Sequence, residues 1–369
     1  MLGLPTDLAQ ASAVLPGLLA RPGAHGEVPA PLTTHTALTS WQFEPWVTLG
    51  LSLTAAVYLA GVIVISRGRR RAWPWLRTAS FLTGLLVIAV AVQSSIGTYD
   101  DVLFWIHMIQ HLLLITVAPA LLVWGRPITL LVRAVRAPTR RRVVAVLQSG
   151  PVAVLTHPIV GFSLYTACIV GTHLTGFMNL VLTDPFVHDA EHVLYLFAGY
   201  VYLLPLIGRE PIRWRLPGFL RVLLLVLAMP VDTFTGIVLM QTTHEMFPAY
   251  AEVPRTWGPS PVTDLNWGGA VMWLGGDGLM GLLALIAFAA WMFSASASSQ
   301  GLGGWLESIR RDRFAAMAGA GSEDTPSSRN STVDDDETAM AAYNEYLARL
   351  NRPQAPRRQG QPPEGSDER

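Results

Sequence analysis

The chain has no lysine, one cysteine, and a charged share of only 14% in 369 residues. Each scarcity excludes something. Cys168 stands alone inside an apolar stretch, so neither a disulfide framework nor a paired-thiolate metal site can form within one chain. Any metal site must therefore draw on His, Met, Asp or Glu. The low charge, beside 51% hydrophobic residues, departs from the composition of soluble domains and predicts a membrane protein. All 26 basic residues are arginine, a bias that suits a GC-rich genome and carries no mechanism of its own. Net charge is zero, and the arginines sit in short loops between apolar blocks, an arrangement unsuited to a nucleic-acid partner.

Blocks of about 20 apolar residues can cross the hydrocarbon core of a bilayer as helices. Seven stretches qualify: Trp46–Ile65, Thr78–Ile96, Leu103–Trp124, Pro158–Gly176, His188–Ile207, Phe219–Met240 and Trp267–Phe293. The predicted fold is all-α, a polytopic seven-helix transmembrane bundle spanning residues 46–296. The first, third and fifth loops hold Arg67, Arg69, Arg70, Arg71 and Arg77, then Arg126, Arg133, Arg136, Arg140, Arg141 and Arg142, then Arg209, Arg213, Arg215 and Arg221. The even loops together hold only Arg255. Positive charge stays inside, which predicts an outer amino terminus and a cytoplasmic carboxyl terminus in a bacterial plasma membrane. Tryptophans agree, with Trp46, Trp105 and Trp267 at outer ends and Trp73, Trp75, Trp124, Trp214 and Trp291 at inner ends. Residues 1–45 read as an extracytoplasmic tail without a signal-peptide pattern, in which Ala11–Ala20 suits an interfacial helix. Residues 297–369 read as a largely disordered cytoplasmic tail, interrupted near 335–351 by a short helix that Asp334 caps. Met340, Tyr343, Leu347 and Leu350 share one face of it, and Pro353 lies beyond its end.

Six of the nine histidines fall near the outer face: His107, His111, His173, His188, His192 and His244. Ionisable groups in a bilayer are costly and turn toward a bundle interior or a watery cavity. His107 and His111 are four apart on the third span, which follows Asp100 and Asp101 as candidate caps. His188 and His192 repeat the spacing on the fifth, after Asp184 as cap and Pro185 at the first helical position. At about 1.5 Å per residue, His111 and His192 each lie roughly 10–15 Å below their helix starts, so the two pairs can converge. Imidazoles one helical turn apart suit copper, zinc or iron, although such pairs also occur bonded only to backbone or water. Candidate ligands are His107, His111, His188, His192 and His244. Met108, Met178, Met240, Met246 and Met272 supply soft sulfur near the same face, where methionine is also an ordinary gap-filler. Asp232, Asp277 and Glu191 form a second layer, either supporting a ligand or joining helices. His157 reads as interfacial, and His25 and His35 as part of the outer tail.

The run His107-Met108-Ile109-Gln110-His111-Leu112-Leu113-Leu114, followed by Ala118-Pro119 and Gly125-Arg126-Pro127, resembles the multi-pass CtaG family of cytochrome c oxidase assembly factors. His188-Asp189-Ala190-Glu191-His192 with Pro205 is similar to that family's second histidine helix, and Asp264-Leu265-Asn266-Trp267-Gly268-Gly269 with Met272-Trp273 to its final signature. Ala120, Leu203, Leu204 and Leu265 depart from the family's usual residues. The resemblance implies a non-enzymatic helper in maturation of a copper-containing oxidase, with copper handled at the outer face and oxidase subunits or other assembly factors, besides membrane lipid, as partners. Two other readings remain open from the residues. One is a zinc-dependent intramembrane hydrolase with three ligands and an open position. The other is a haem protein with His111 and His192 as axial ligands.

Overall fold

A computed structural model describes residues 28–68 and 72–317, with side chains described to Phe293. The interfacial helix expected at Ala11–Ala20 and the short helix expected near 335–351 lie outside the described residues. Among the described residues every regular element is helical. A short α1 (Thr34–Thr39) precedes α2 (Pro45–Arg67), α3 (Trp75–Gln93) and α4 (Ser95–Tyr99). The third span comprises α5 (Phe104–Leu112), a π-helical turn (Leu113–Val117) and α6 (Ala118–Gly125), and its loop folds as α7 (Pro127–Ala134), α8 (Ala137–Leu147) and α9 (Gly150–Leu155). Then come α10 (Pro158–His173), α11 (Phe177–Thr183), α12 (Pro185–Ile207), α13 (Gly218–Gln241), α14 (Pro248–Ala251) and α15 (Pro261–Met317).

Among the described residues six helices are long and apolar enough to cross a membrane, and a seventh crossing requires taking α10 and α11 together across a 72° bend. The expected fourth span is thus broken. After α10 the chain turns, and Thr175 Oγ1 accepts from the Phe177 amide 3.2 Å away to start α11. The last helix is also longer than expected. Residues 297–317 continue it as helix, and no proline interrupts the chain between Pro261 and Met317. Among the described residues, those up to Trp291 belong to one compact unit and those from Met292 to a second.

In the first unit α3 packs along α6, α12 lies against α6, the π turn and α10, and α13 against α10. α2 stands at the margin with Tyr58 as its buried residue. Trp73 Nε1–H donates to Tyr58 OH at 3.1 Å, which donates to Gly125 O at 2.8 Å, fastening three segments at one end. Trp73 is accordingly buried in protein, whereas Trp46, Trp75 and Trp267 are exposed, as headgroup anchors require. At the other end, residues 28–32 fold over Tyr99 and Leu103, and Tyr99 OH donates to Ala30 O at 2.8 Å. That cover packs against a cluster that includes Ile106, the residue before His107.

Candidate metal centre

The histidine helix α5 is started from a distance. Its N-cap is Leu103, which supplies no side-chain bond, so Asp100 and Asp101 do not cap it as the sequence suggests. Asp264 does instead, accepting from the amides of Phe104 at 3.1 Å and Trp105 at 3.2 Å, while Arg255 Nη2 donates to it at 3.2 Å. A carboxylate on exposed helix N–H groups satisfies donors that have no partner within the helix. Asn266, two residues on, donates to Leu239 O and Thr242 O and closes the end of α13. Gly268 and Gly269 remove side chains where α15 meets Phe104 and α13. A Cβ on Gly269 would lie 2.6 Å from Gly236 O.

After His111 the backbone widens into the π turn, a feature frequent at functional sites. In an α ladder Ile115 O would receive the nitrogen of Pro119, which has no N–H. Ile115 O lies against α12 at Gly199, where a Cβ would be 1.8 Å away. This close approach brings the faces carrying His111 and Glu191 together. On α12, Asp184 Oδ1 accepts from the Phe186 amide at 2.9 Å with Pro185 at the first helical position, as the sequence predicts.

Three ligand-type groups then converge. His107 Nε2 and His111 Nε2 are 2.8 Å apart, and Glu191 places Oε2 3.3 Å from the first and Oε1 3.4 Å from the second. All three side chains are buried. Neither carboxylate oxygen accepts a well-directed hydrogen bond, although both are close to imidazole nitrogen. An ionised carboxylate left so in the protein interior is costly. Around a tetrahedral ion with bonds of about 2.0–2.1 Å, ligand atoms stand about 3.3 Å apart, which the two nitrogen–oxygen separations match. The 2.8 Å nitrogen pair is a hydrogen-bond distance, and an ion would need those rings to part by about half an ångström.

The proton positions on His107 follow from its neighbours. Tyr250 OH, on α14, donates to Asp100 O at 2.8 Å, and its oxygen is 3.1 Å from His107 Nδ1. With its one proton committed, the phenol accepts from Nδ1–H, leaving Nε2 as a lone pair aimed at His111 and Glu191. Burial, reinforced by Asp101 and Asp100, holds the Tyr250 phenol well above its ordinary pKa, so it stays a donor.

A second group adjoins the first. His188 Nδ1 is 3.1 Å from Asp101 Oδ1 and its Nε2 3.6 Å from Asp100 Oδ2, while its ring stacks on His107 at 5.4 Å. Gln110 Nε2 donates to Asp100 Oδ2 at 2.6 Å and Ala91 O at 3.0 Å, so its Oε1 accepts from His192 Nε2–H at 3.0 Å. Ligand-type atoms of Asp100, His188 and His192 lie within 4.8 Å of one another, as do those of His107, His188 and Glu191.

Four of the five candidate ligands therefore meet, and the fifth does not. His244 is exposed in the segment after α13, beyond the helix end at Gln241. His173 is the buried histidine that does join, its ring 5.3 Å from that of His111. His157 caps α10, its Nδ1 accepting from the Ile159 amide, and His35 lies on exposed α1. Asp232 accepts from Tyr165 OH and Asp277 from Thr233 Oγ1, each joining two helices. Asp100, Gln110, Tyr195, Tyr250 and Asp264 have structural roles that the sequence did not assign. Gln110 carried a hint, lying inside the histidine run, as did Asp100 beside that helix's start and Asp264 at the head of the final signature.

A model of the cytochrome c oxidase caa3 assembly factor family (Caa3_CtaG) matches residues 56–294. An uncharacterized protein of Mycobacterium leprae (strain TN) is 28% identical over 88% of this chain and 47% of its own length. Uncharacterized proteins of Mycobacterium bovis and Mycobacterium tuberculosis are each 30% identical over 67% of this chain and 38% of their own. The chain thus spans less than half the length of these relatives. No solved structure matches it at a significant level.

Proposed function

The chain belongs to the cytochrome c oxidase caa3 assembly factor family, and from that premise we propose that it serves oxidase maturation by holding copper in the buried cluster of His107, His111 and Glu191. The observation that carries this reading is Glu191, a buried carboxylate whose two oxygens face imidazole nitrogens without well-directed hydrogen bonds. A cation among them removes the cost of the uncompensated charge. Copper suits the donors, since imidazole sites favour it over the other first-row divalent ions. The carboxylate also offsets part of the ion's charge, as a membrane interior favours.

The cluster lies at the ends of α5 and α12 away from the arginine-rich loops. By the positive-inside rule that is the outer end, where copper would be received and passed to oxidase subunits or other assembly factors. Holding and transfer need no catalytic step. A zinc hydrolase needs an open coordination position reached by water, whereas no side chain of the two histidine groups except that of Asp101 is more than 7% exposed. A haem needs a flat space between two bare imidazole nitrogens. His111 instead stacks on Tyr195 at 3.8 Å, and His192 Nε2 donates to Gln110.

Metal analysis of the full chain purified with and without reductant tests this directly. Copper in the wild type, reduced in Glu191→Gln, is the expected result; zinc, or a Soret band with iron, would replace it with one of the other readings. In cells, deleting the gene is expected to lower copper-replete oxidase without lowering its transcript, and full oxidase activity in copper-poor medium would count against the role.

A further inference from the structure

Beside the carboxylate cluster, a second set of donor atoms meets with no proton to share. His173 Nδ1 lies 2.9 Å from Ile169 O. A carbonyl only accepts, so Nδ1 carries the ring proton. Thr172 Oγ1, also 2.9 Å from Nδ1, leaves this unchanged, because its own hydroxyl donates to Cys168 O at 2.8 Å. Nε2 is then a lone pair, and it faces Met108 Sδ at 3.1 Å. The thioether has nothing to donate either. A doubly protonated ring would set a full charge in a site where both residues are 1% exposed, with a weakly accepting sulfur to receive its proton. Two lone pairs pressed together in a buried place call for an electrophile.

Room for one adjoins them. A small cavity of about 10 Å³, room for one water-sized sphere, is lined by Met108, His173, His111, Met272 and Asp232, together with apolar side chains. Water in it would satisfy the imidazole but not sulfur, which is a soft donor. Asp232 brings a carboxylate to the wall, with Tyr165 OH donating to it at 2.9 Å.

We infer that Met108, His173 and Met272 form a second metal position, for a soft monovalent ion such as Cu(I), separated from the carboxylate cluster by His111. Thioether and imidazole together select Cu(I) over zinc, which the nitrogen–oxygen cluster alone does not. The inference extends the copper reading but rests on different atoms, so each can fail alone.

The test uses the full chain in detergent, loaded anaerobically with Cu(I) or with redox-inert Ag(I), and X-ray absorption at the metal edge. Sulfur scattering is expected in the wild type and is expected to fall in Met108→Leu, a volume-conserving change, and to vanish when Met272→Leu is added to it. Co(II) binding at the carboxylate cluster, followed by its visible bands, should be unchanged in that variant. Should Met108→Leu fail to accumulate, selenomethionine-labelled wild type gives the same answer at the selenium edge. Nitrogen and oxygen neighbours alone in the loaded wild type would overturn the inference, as would sulfur scattering that survives both Met108→Leu and Met272→Leu. Sulfur scattering retained in Glu191→Gln, with Co(II) binding lost, would support both sites. Retained sulfur scattering without any Co(II) binding in the wild type would sink the carboxylate cluster and leave this position standing.

Discussion

Changing Glu191 to Gln keeps its shape and removes its charge, so metal content measured by mass spectrometry after gel filtration should fall most for this variant and for His111→Ala. Because both act on one ion, the double variant should lose little more than either single one. His244→Ala should leave content unchanged, given its exposure beyond the end of α13. Equal loss in His244→Ala, or none in the first two, would show that the ion is held elsewhere. Tyr250→Phe removes the acceptor that sets the tautomer of His107, and about 10–100-fold weaker metal affinity is expected while the fold is kept. Competing protons also matter: the carboxylate and imidazoles must be unprotonated to bind, so affinity should fall as pH falls. Residue types and spacing made much of this legible, since two pairs of histidines four apart announce two helical faces. The exclusion of His244 and the entry of His173 were not legible. Both depend on where a helix ends and how a span bends, and neither boundary is marked by a residue pattern around the histidine itself.

Helix–helix contacts set the scale at which the site is held. Gly199→Ala would drive a methyl group into Ile115 O, and the expected cost is about 1–3 kcal/mol, read as earlier thermal unfolding, with weaker metal binding as α5 and α12 part. A variant with unchanged unfolding would mean that the π turn yields freely. Glu210 does a comparable job at the opposite end, where its carboxylate accepts from the amides of Ile128 at 3.2 Å and Thr129 at 2.7 Å and from the Thr129 hydroxyl, starting α7. Burial raises its pKa despite these bonds. A raised carboxyl favours folding most below its unfolded value, and that advantage is lost as pH rises through the folded value. Glu210→Gln, which turns one of the two accepting oxygens into a donor, should cost less than Glu210→Ala, which strands both amides and should cost about 1–3 kcal/mol in the same assay. The spans were readable from hydropathy almost throughout. The break in the fourth and the π turn in the third were hidden, because a bend and an extra backbone residue leave apolar composition unaltered.

For the whole molecule, the arginine distribution predicts that a reporter placed in the 242–260 segment faces outward and one fused after Phe293 faces the cytoplasm. The reverse labelling would put the histidines on the inner side and remove the outer-face reading. No local pattern could have revealed which distant pieces complete the site. Asp264 touches the start of α5 from 160 positions later in the chain, Glu191 reaches His107 from α12, and Tyr250 comes from a connecting segment. That long reach bears on how the protein is made. Synthesis runs from the amino terminus, so α5 enters the membrane well before the carboxylate that fastens its first turn exists. Until α15 follows, His107 and His111 ride on a helix whose starting amides are unfastened, and no geometry for an ion has been fixed. Order of synthesis thus acts as a safeguard: under the copper reading proposed above, the receptacle is finished only once α15 is in place.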